Sequence, residues 1–235
     1  MSAPTIAGAG AQHNSGFTTA TTTISVSLPA NATAGNMLLV WVGCGGAGTA
    51  TINTPTMTGE TFTNVAGASN TSGSNVGQHK LFVVNSCAGG QKQVTATTSV
   101  SEDIHLHVME VTGQGASPQD ATGNTRSTTL SVSTSGSTTT ATDLVIAFFY
   151  DNDHNQTVTA GTGYAQIEQS NNTTGGDVGF SESKTVSATG VQTATITDGG
   201  TGDTYLQGII AVAGTSAATN VPGWPSPTAG PSSRL

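Results

Sequence analysis

Charge is scarce in this chain. Charged residues make up 8 % of it, against about 25 % in an average soluble protein. The five basic residues, Lys80, Lys92, Arg126, Lys184 and Arg234, are scattered, and thirteen carboxylates leave a net charge of −8. No positive stripe exists to meet phosphates, which excludes nucleic acid as a partner. So little charge also fits poorly with a coiled coil or a solvent-facing helical bundle. No run of about 18 apolar residues appears, so no membrane span is expected. Cys44 and Cys87 are the only cysteines, which excludes a disulfide-rich scaffold. Two free, semi-buried thiols is the plain reading, and one bridge between neighbouring strands stays open. The start, Met1 to Gly10, lacks the basic and apolar regions of a signal peptide. The expectation is a product that stays in the cell, leaves by lysis, or is trimmed. There is no Gly-rich phosphate loop, no His-Glu-x-x-His and no nucleophile elbow. No catalytic residue, no cofactor and no metal is assigned, and the chain reads as a non-enzyme.

Threonine (43 residues) and glycine (31 residues) fill the space that charge leaves. Threonine stiffens its χ1 as valine does and still shows a hydroxyl, so it suits the solvent face of a strand. Short strands separated by turn signals recur along the chain. Ile24, Val26 and Leu28 alternate with polar residues. Met37 to Val42 and Leu144 to Tyr150 are continuous apolar runs that read as central strands. Leu81 to Val84, Ile104 to Val108, Val191 to Thr197 and Tyr205 to Ala213 complete the set. Similar segments return at an offset near 100 residues, so that 20–113 and 128–214 read as two similar halves. The fold expected is all-β: a jelly-roll-like β-sandwich of about ten to thirteen strands over 20–214, with the halves pooled into one sandwich. Two separate small sandwiches are the alternative. Residues 1–19 read as an extended N-terminal arm and 215–235 as a Pro-rich C-terminal tail.

Candidate sites are few. His105 and His107, two apart on a strand, share a face and with a third ligand would hold a metal; polar surface residues or interface contacts are the simpler reading. Asp151 and Asp153 open an oxygen-rich loop of the kind that binds Ca²⁺, or simply a polar turn. Asp198 to Asp203 reads as another such turn. Tyr164 and Tyr205 are the freest aromatics, and so the candidate contacts for a glycan. In the tail, Trp224 between Pro222 and Pro225 is a candidate partner contact, anchoring in a groove on its own fold or on another subunit. The Asn-x-Ser/Thr sequons, beginning at Asn31, Asn70, Asn155, Asn171 and Asn172, carry little information in a chain of this composition.

The order of these features resembles a β-sandwich module found in bacteriophage minor-tail and other virion proteins and in some bacterial surface proteins. Leu28-Pro29 is followed by Ala34-Gly35-Asn36 and the apolar strand Met37 to Val42. A Gly-rich loop over Gly43 to Gly48, Thr54-Pro55, Ala88-Gly89 and a strand ending Glu110-Val111-Thr112-Gly113 come next. Asp143 to Phe149, Gly161 to Tyr164 and the strand ending at Gly214 resemble a looser second copy. The resemblance implies a virion structural protein, without catalytic residues, assembled in the host cytoplasm and released by lysis. It implies a capsid decoration, head-fibre or small tail component. Its partners would be major capsid or tail proteins and copies of itself, with host glycans as a further contact. A carbohydrate-binding or adhesin-like surface module is the alternative that the same features allow.

Overall fold

Apolar runs without alternation need burial on both faces of a strand. In the computed structural model, which describes residues 2–45, 50–71, 77–151, 157–173, 176–199 and 204–215, the two such runs lie within two separate antiparallel sheets. The first half of the chain supplies β1 (Thr5–Ile6), β2 (His13–Ser27), β3 (Met37–Cys44), β4 (Thr63–Asn64), β5 (Gln78–Val84) and β6 (Gln93–Thr112). The second supplies β7 (Gln114–Ser127), β8 (Ser131–Ser133), β9 (Asp143–Asp151), β10 (Thr159–Ala160), β11 (Ala165–Asn172), β12 (Asp177–Val186), β13 (Thr193–Thr197) and β14 (Tyr205–Gly214).

The first large sheet runs in the order β2-β6-β3-β5-β4, with β1 beside the end of β6; the second runs β7-β14-β9-β12-β11. Position by position, the two orders use equivalent strands of the two halves. Each sheet is drawn from one half only. The sheets face each other across a shared core that includes Met37, Leu39 and Trp41 of β3, Ile146, Phe148 and Tyr150 of β9, and Leu206 and Ile210 of β14.

The other face of each sheet is covered too. On the first, Leu38, Val40 and Val42 pack with Ile24, Val26, Val94 and Ala96. These belong to the far ends of β2 and β6, which fold back over their own sheet. The fold-over falls at two register shifts in β2, between Thr18 and Thr23, beside Ala20 at φ 49°. On the second sheet, Val145, Ala147 and Phe149 pack with Val132, Ala194 and Ile196 of the small sheet β10-β13-β8. Here the strands break where β2 and β6 only bend. The result is four β-layers and three cores, an all-β sandwich-like fold. Continuous burial of β3 and β9 follows directly, with all eight and all nine residues buried.

Two segments differ from expectation. Residues 13–19 are not an arm. Asn14, Ser15, Gly16 and Phe17 pair with Val108, His107, Leu106 and His105 of β6, and Thr5 and Ile6 pair with Thr112 and Val111. The mixed polar composition conceals a strand, which is held by its ladder to β6 and by His13 Nδ1 and Ser15 Oγ, 2.7 and 2.9 Å from the carboxylate of Glu168 in β11. Residues 114–127, polar and interrupted by Pro118, also form a strand. β7 lies at a sheet edge and its pairing with β14 is irregular near Pro118, the setting in which proline is tolerated. Cys44 and Cys87 are both free and buried. Among the described residues, no helix is long and apolar enough to cross a membrane.

Candidate functional site

The strand period of two that buries Ile104, Leu106 and Val108 on one face of β6 turns His105 and His107 toward the second sheet. Both imidazoles are fully buried. His105 Nδ1 lies 2.7 Å from Ser170 Oγ of β11, His107 Nε2 lies 2.9 Å from the same oxygen, and His107 Nδ1 lies 3.0 Å from Ser181 Oγ of β12. Ser170 has one proton to give. Placing the imidazole protons on Nδ1 of both histidines satisfies every link: His105 donates to Ser170, Ser170 donates to His107, and His107 donates to Ser181. The opposite arrangement would leave the His105 Nε2–H as a buried donor without an acceptor, the costlier fault.

His79 of β5 joins the same layer. It accepts a hydrogen bond from Trp41 Nε1 at 3.1 Å. Trp41 stacks on Phe148, with ring centroids 5.9 Å apart, and meets His107 edge-on at 4.9 Å. Glycines make the room. A Cβ on Gly43 would lie 2.8 Å from both Trp41 and Tyr150, and one on Gly179 would press on Ser170, Trp41 and His105. Burial holds the imidazoles neutral. It pushes His79 down to about 3, opposed by the Gln207 backbone, and His105 down to about 4, opposed by Asp103 and Ser170. His107 lies well below its usual value through burial, then through His105 and His13. Tyr150 is raised well above its usual value, first by burial and then by Asp177, Cys44, Asp103 and Asp151. At this end of the sandwich Asn172 Nδ2 bridges Asp103 (3.0 Å) and Asp177 (3.1 Å).

A second polar cluster lies in the other half. Asp120 accepts four hydrogen bonds from the backbone and hydroxyls of Thr139 and Thr140, at 2.6–3.1 Å. Burial works to raise it, but these donors win and hold it below its usual value. Neighbouring Asp143 competes with Asp120 for the single proton of the Thr140 hydroxyl and is raised to about 6 by burial, opposed by Thr140, and by the Asp120 charge. Glu182 of β12 is raised to about 7 by burial, although Gly161 N–H donates to it at 2.8 Å. These carboxylates fasten loops to strands.

The expected residues fall as follows. His105 and His107 do share a face, but that face is the buried inter-sheet core and their partners are serine hydroxyls. They are not surface residues. Among the described residues, no group of three or more His, Cys, Asp or Glu is placed to hold a metal ion. Asp151 closes β9 and is buried; Asp153 lies outside the described residues. Tyr205 is fully buried in the outer core of the second sheet, which removes it as a glycan contact. Its position at the start of a doubly covered strand explains why. Tyr164 is half-buried; its hydroxyl donates to Thr193 O at 3.0 Å and Lys184 Nζ sits 5.5 Å from its ring centroid. Trp224, Pro222 and Pro225 lie outside the described residues. Sequence reasoning missed His79, Ser170 and Ser181, since isolated polar residues on strands carry no sign of which neighbour they will meet.

The outer faces are of another character. On the first fold-over ribbon Ser25 Oγ and Thr95 Oγ1 lie 2.8 Å apart, and Asn53 Nδ2 donates to Thr97 Oγ1 at 3.1 Å. On the opposite outer sheet Ser133 Oγ and Thr193 Oγ1 lie 2.7 Å apart, beside exposed Thr195 and Thr197. Two uncharged hydroxyl arrays thus cap the layer stack.

No known protein family, curated protein or solved structure matches this chain.

Proposed function

We propose that the protein is a non-enzymatic structural component of a bacteriophage particle, a capsid decoration, head-fibre or small tail protein. It attaches to other virion proteins and to copies of itself, and it stabilises the particle. The observation that supports this reading most is the division of polar groups. The imidazoles are committed to holding two sheets together inside, while the outer ribbons present threonine and serine hydroxyls without charge. Uncharged faces can approach in many copies without like-charge repulsion, and weak contacts repeated on a lattice add up to strong attachment.

Size exclusion with light scattering, together with immunogold microscopy of lysates of producing cells, tests the proposal. The expected result is a defined oligomer and label on particles. A monomer of 23.3 kDa with label confined to the soluble fraction overturns it.

A further inference from the structure

We propose that the polar end of the seam between the two sheets is an acid-operated latch. Protonation of its imidazoles parts the sheets at that end, while the outer cores and the end next to Gly113 stay closed. The seam is graded along its length. Register places His79, Gly43 and His105 in one row across β5, β3 and β6, and Leu81, Trp41 and His107 in the next. The rows that follow, Val83, Leu39 and Met109, then Met37 and Val111, are wholly apolar. They share their core with Ile146, Ile210, Leu144 and Val212 of the second sheet. At this apolar end Gly113, at φ 79°, joins β6 to β7 and so one half to the other. His13 pairs with Met109, so its 2.7 Å contact with Glu168 fastens the edge on the closed side.

No imidazole in the layer has a place for a second proton. His105 would take it on Nε2, which meets no hydrogen-bond partner among the described residues. His107 would take it on the Nε2 that accepts from Ser170. Ser170 would then face two imidazole donors, and its own proton would lose its acceptor. His79 would take it on the Nδ1 that accepts from Trp41, setting N–H against N–H. Solvent stands one ring away: Phe17, 41 % exposed, stacks on His105 with centroids 5.8 Å apart. The titratable groups facing the layer are Asp103 beside His105, Tyr150 of β9, and His13 of β2 with Glu168 against it. Asp151, Asp177 and Cys44 stand around Tyr150, and His79 meets Trp41, the Gln207 backbone and Gly208. Asp103 favours a proton on His105, whereas His105 and His13 oppose one on His107, so His105 is the first to be charged. Closed, it binds that proton only near pH 4, against an ordinary 6.5. Through His105 alone the open-to-closed ratio therefore rises roughly fiftyfold from pH 7 to pH 4.5. Glu182 and Asp143, on the outer face of the second sheet, are raised to about 7 and about 6. Acid thus strengthens the outer side while it loosens the seam, which makes the opening local rather than global.

The chain has two tryptophans, so in the full-length variant Trp224→Phe the emission is that of Trp41, inside the latch. From pH 7 to pH 4.5 its quenching by acrylamide is expected to rise several-fold, while far-UV circular dichroism keeps its neutral value. His105→Asn, added to that variant, keeps a donor to Ser170 in place of Nδ1–H and does not titrate. With it, the rise at pH 4.5 is expected to be several-fold smaller. Trp41 equally shielded at pH 7 and pH 4.5 overturns the proposal. So does loss of the far-UV signal in the same transition, which is global unfolding, or an undiminished rise in a folded His105→Asn chain.

Discussion

Three buried imidazoles make stability depend on pH in a defined sense. Unfolded, each binds a proton near pH 6.5; folded, His79 does so only near 3 and His105 near 4. Between these values the unfolded chain holds more protons, so stability is complete above about pH 6.5 and is lost as pH falls toward 3. A tenfold loss of proton affinity on folding corresponds to about 1.4 kcal/mol. Glu182 and Asp143 act oppositely. Their folded values, about 7 and about 6, lie above the ordinary 4.5 and 3.8, so protonating them as pH falls below 7 favours the fold. The urea midpoint is therefore expected to change little from pH 7 to pH 6 and to drop steeply below pH 5. A midpoint level from pH 8 to pH 4 would show that the histidines are not buried neutral.

Among the elements, β3 and β9 are the most constrained, because each is packed on both faces. Gly43 in β3 faces Trp41 and Tyr150 at a distance that leaves no room for a methyl group. Gly43→Ala is expected to cost about 1–3 kcal/mol through overpacking, measured by denaturant unfolding. An unchanged midpoint would contradict the packing described. These elements were also the most legible in the sequence. A run such as Leu144 to Tyr150 has no exposed face to betray, and it reads as a central strand whatever surrounds it. The part of β2 before Ile24, and β7, were illegible for the converse reason: few of their side chains are fully buried, and what fixes them is chiefly the ladder to β6 and β14. Burial of Tyr205 was equally hidden, because nothing local shows that the outer sheet β10-β13-β8 covers β14.

For the whole molecule, the three cores decide what is separable. Either half keeps an outer core of its own, yet removing its neighbour bares the face carrying Met37, Leu39, Trp41, Met109 and Val111, or its counterpart. Residues 1–113 expressed alone are therefore expected to be aggregated or loosely packed, and co-expression with 114–235 to restore a compact, soluble pair. A monomeric 1–113 with a cooperative unfolding transition would refute this. The recurrence of similar segments near an offset of 100 residues hinted at two halves. The polar layer joining them was not visible, since His79, His105 and His107 meet their partners only across the sheet gap.

That layer is also unlike on its two sides. One sheet contributes the imidazoles of His105 and His107; the other contributes the serine hydroxyls of Ser170 and Ser181. Two sheets of similar strand order could otherwise pair with copies of themselves. Like would then meet like: imidazole against imidazole with no hydroxyl between, or hydroxyl against hydroxyl with no imidazole to receive it. The seam works as a key cut differently from its lock, and it directs each half to the unlike half of its own chain rather than to its twin in a neighbouring one.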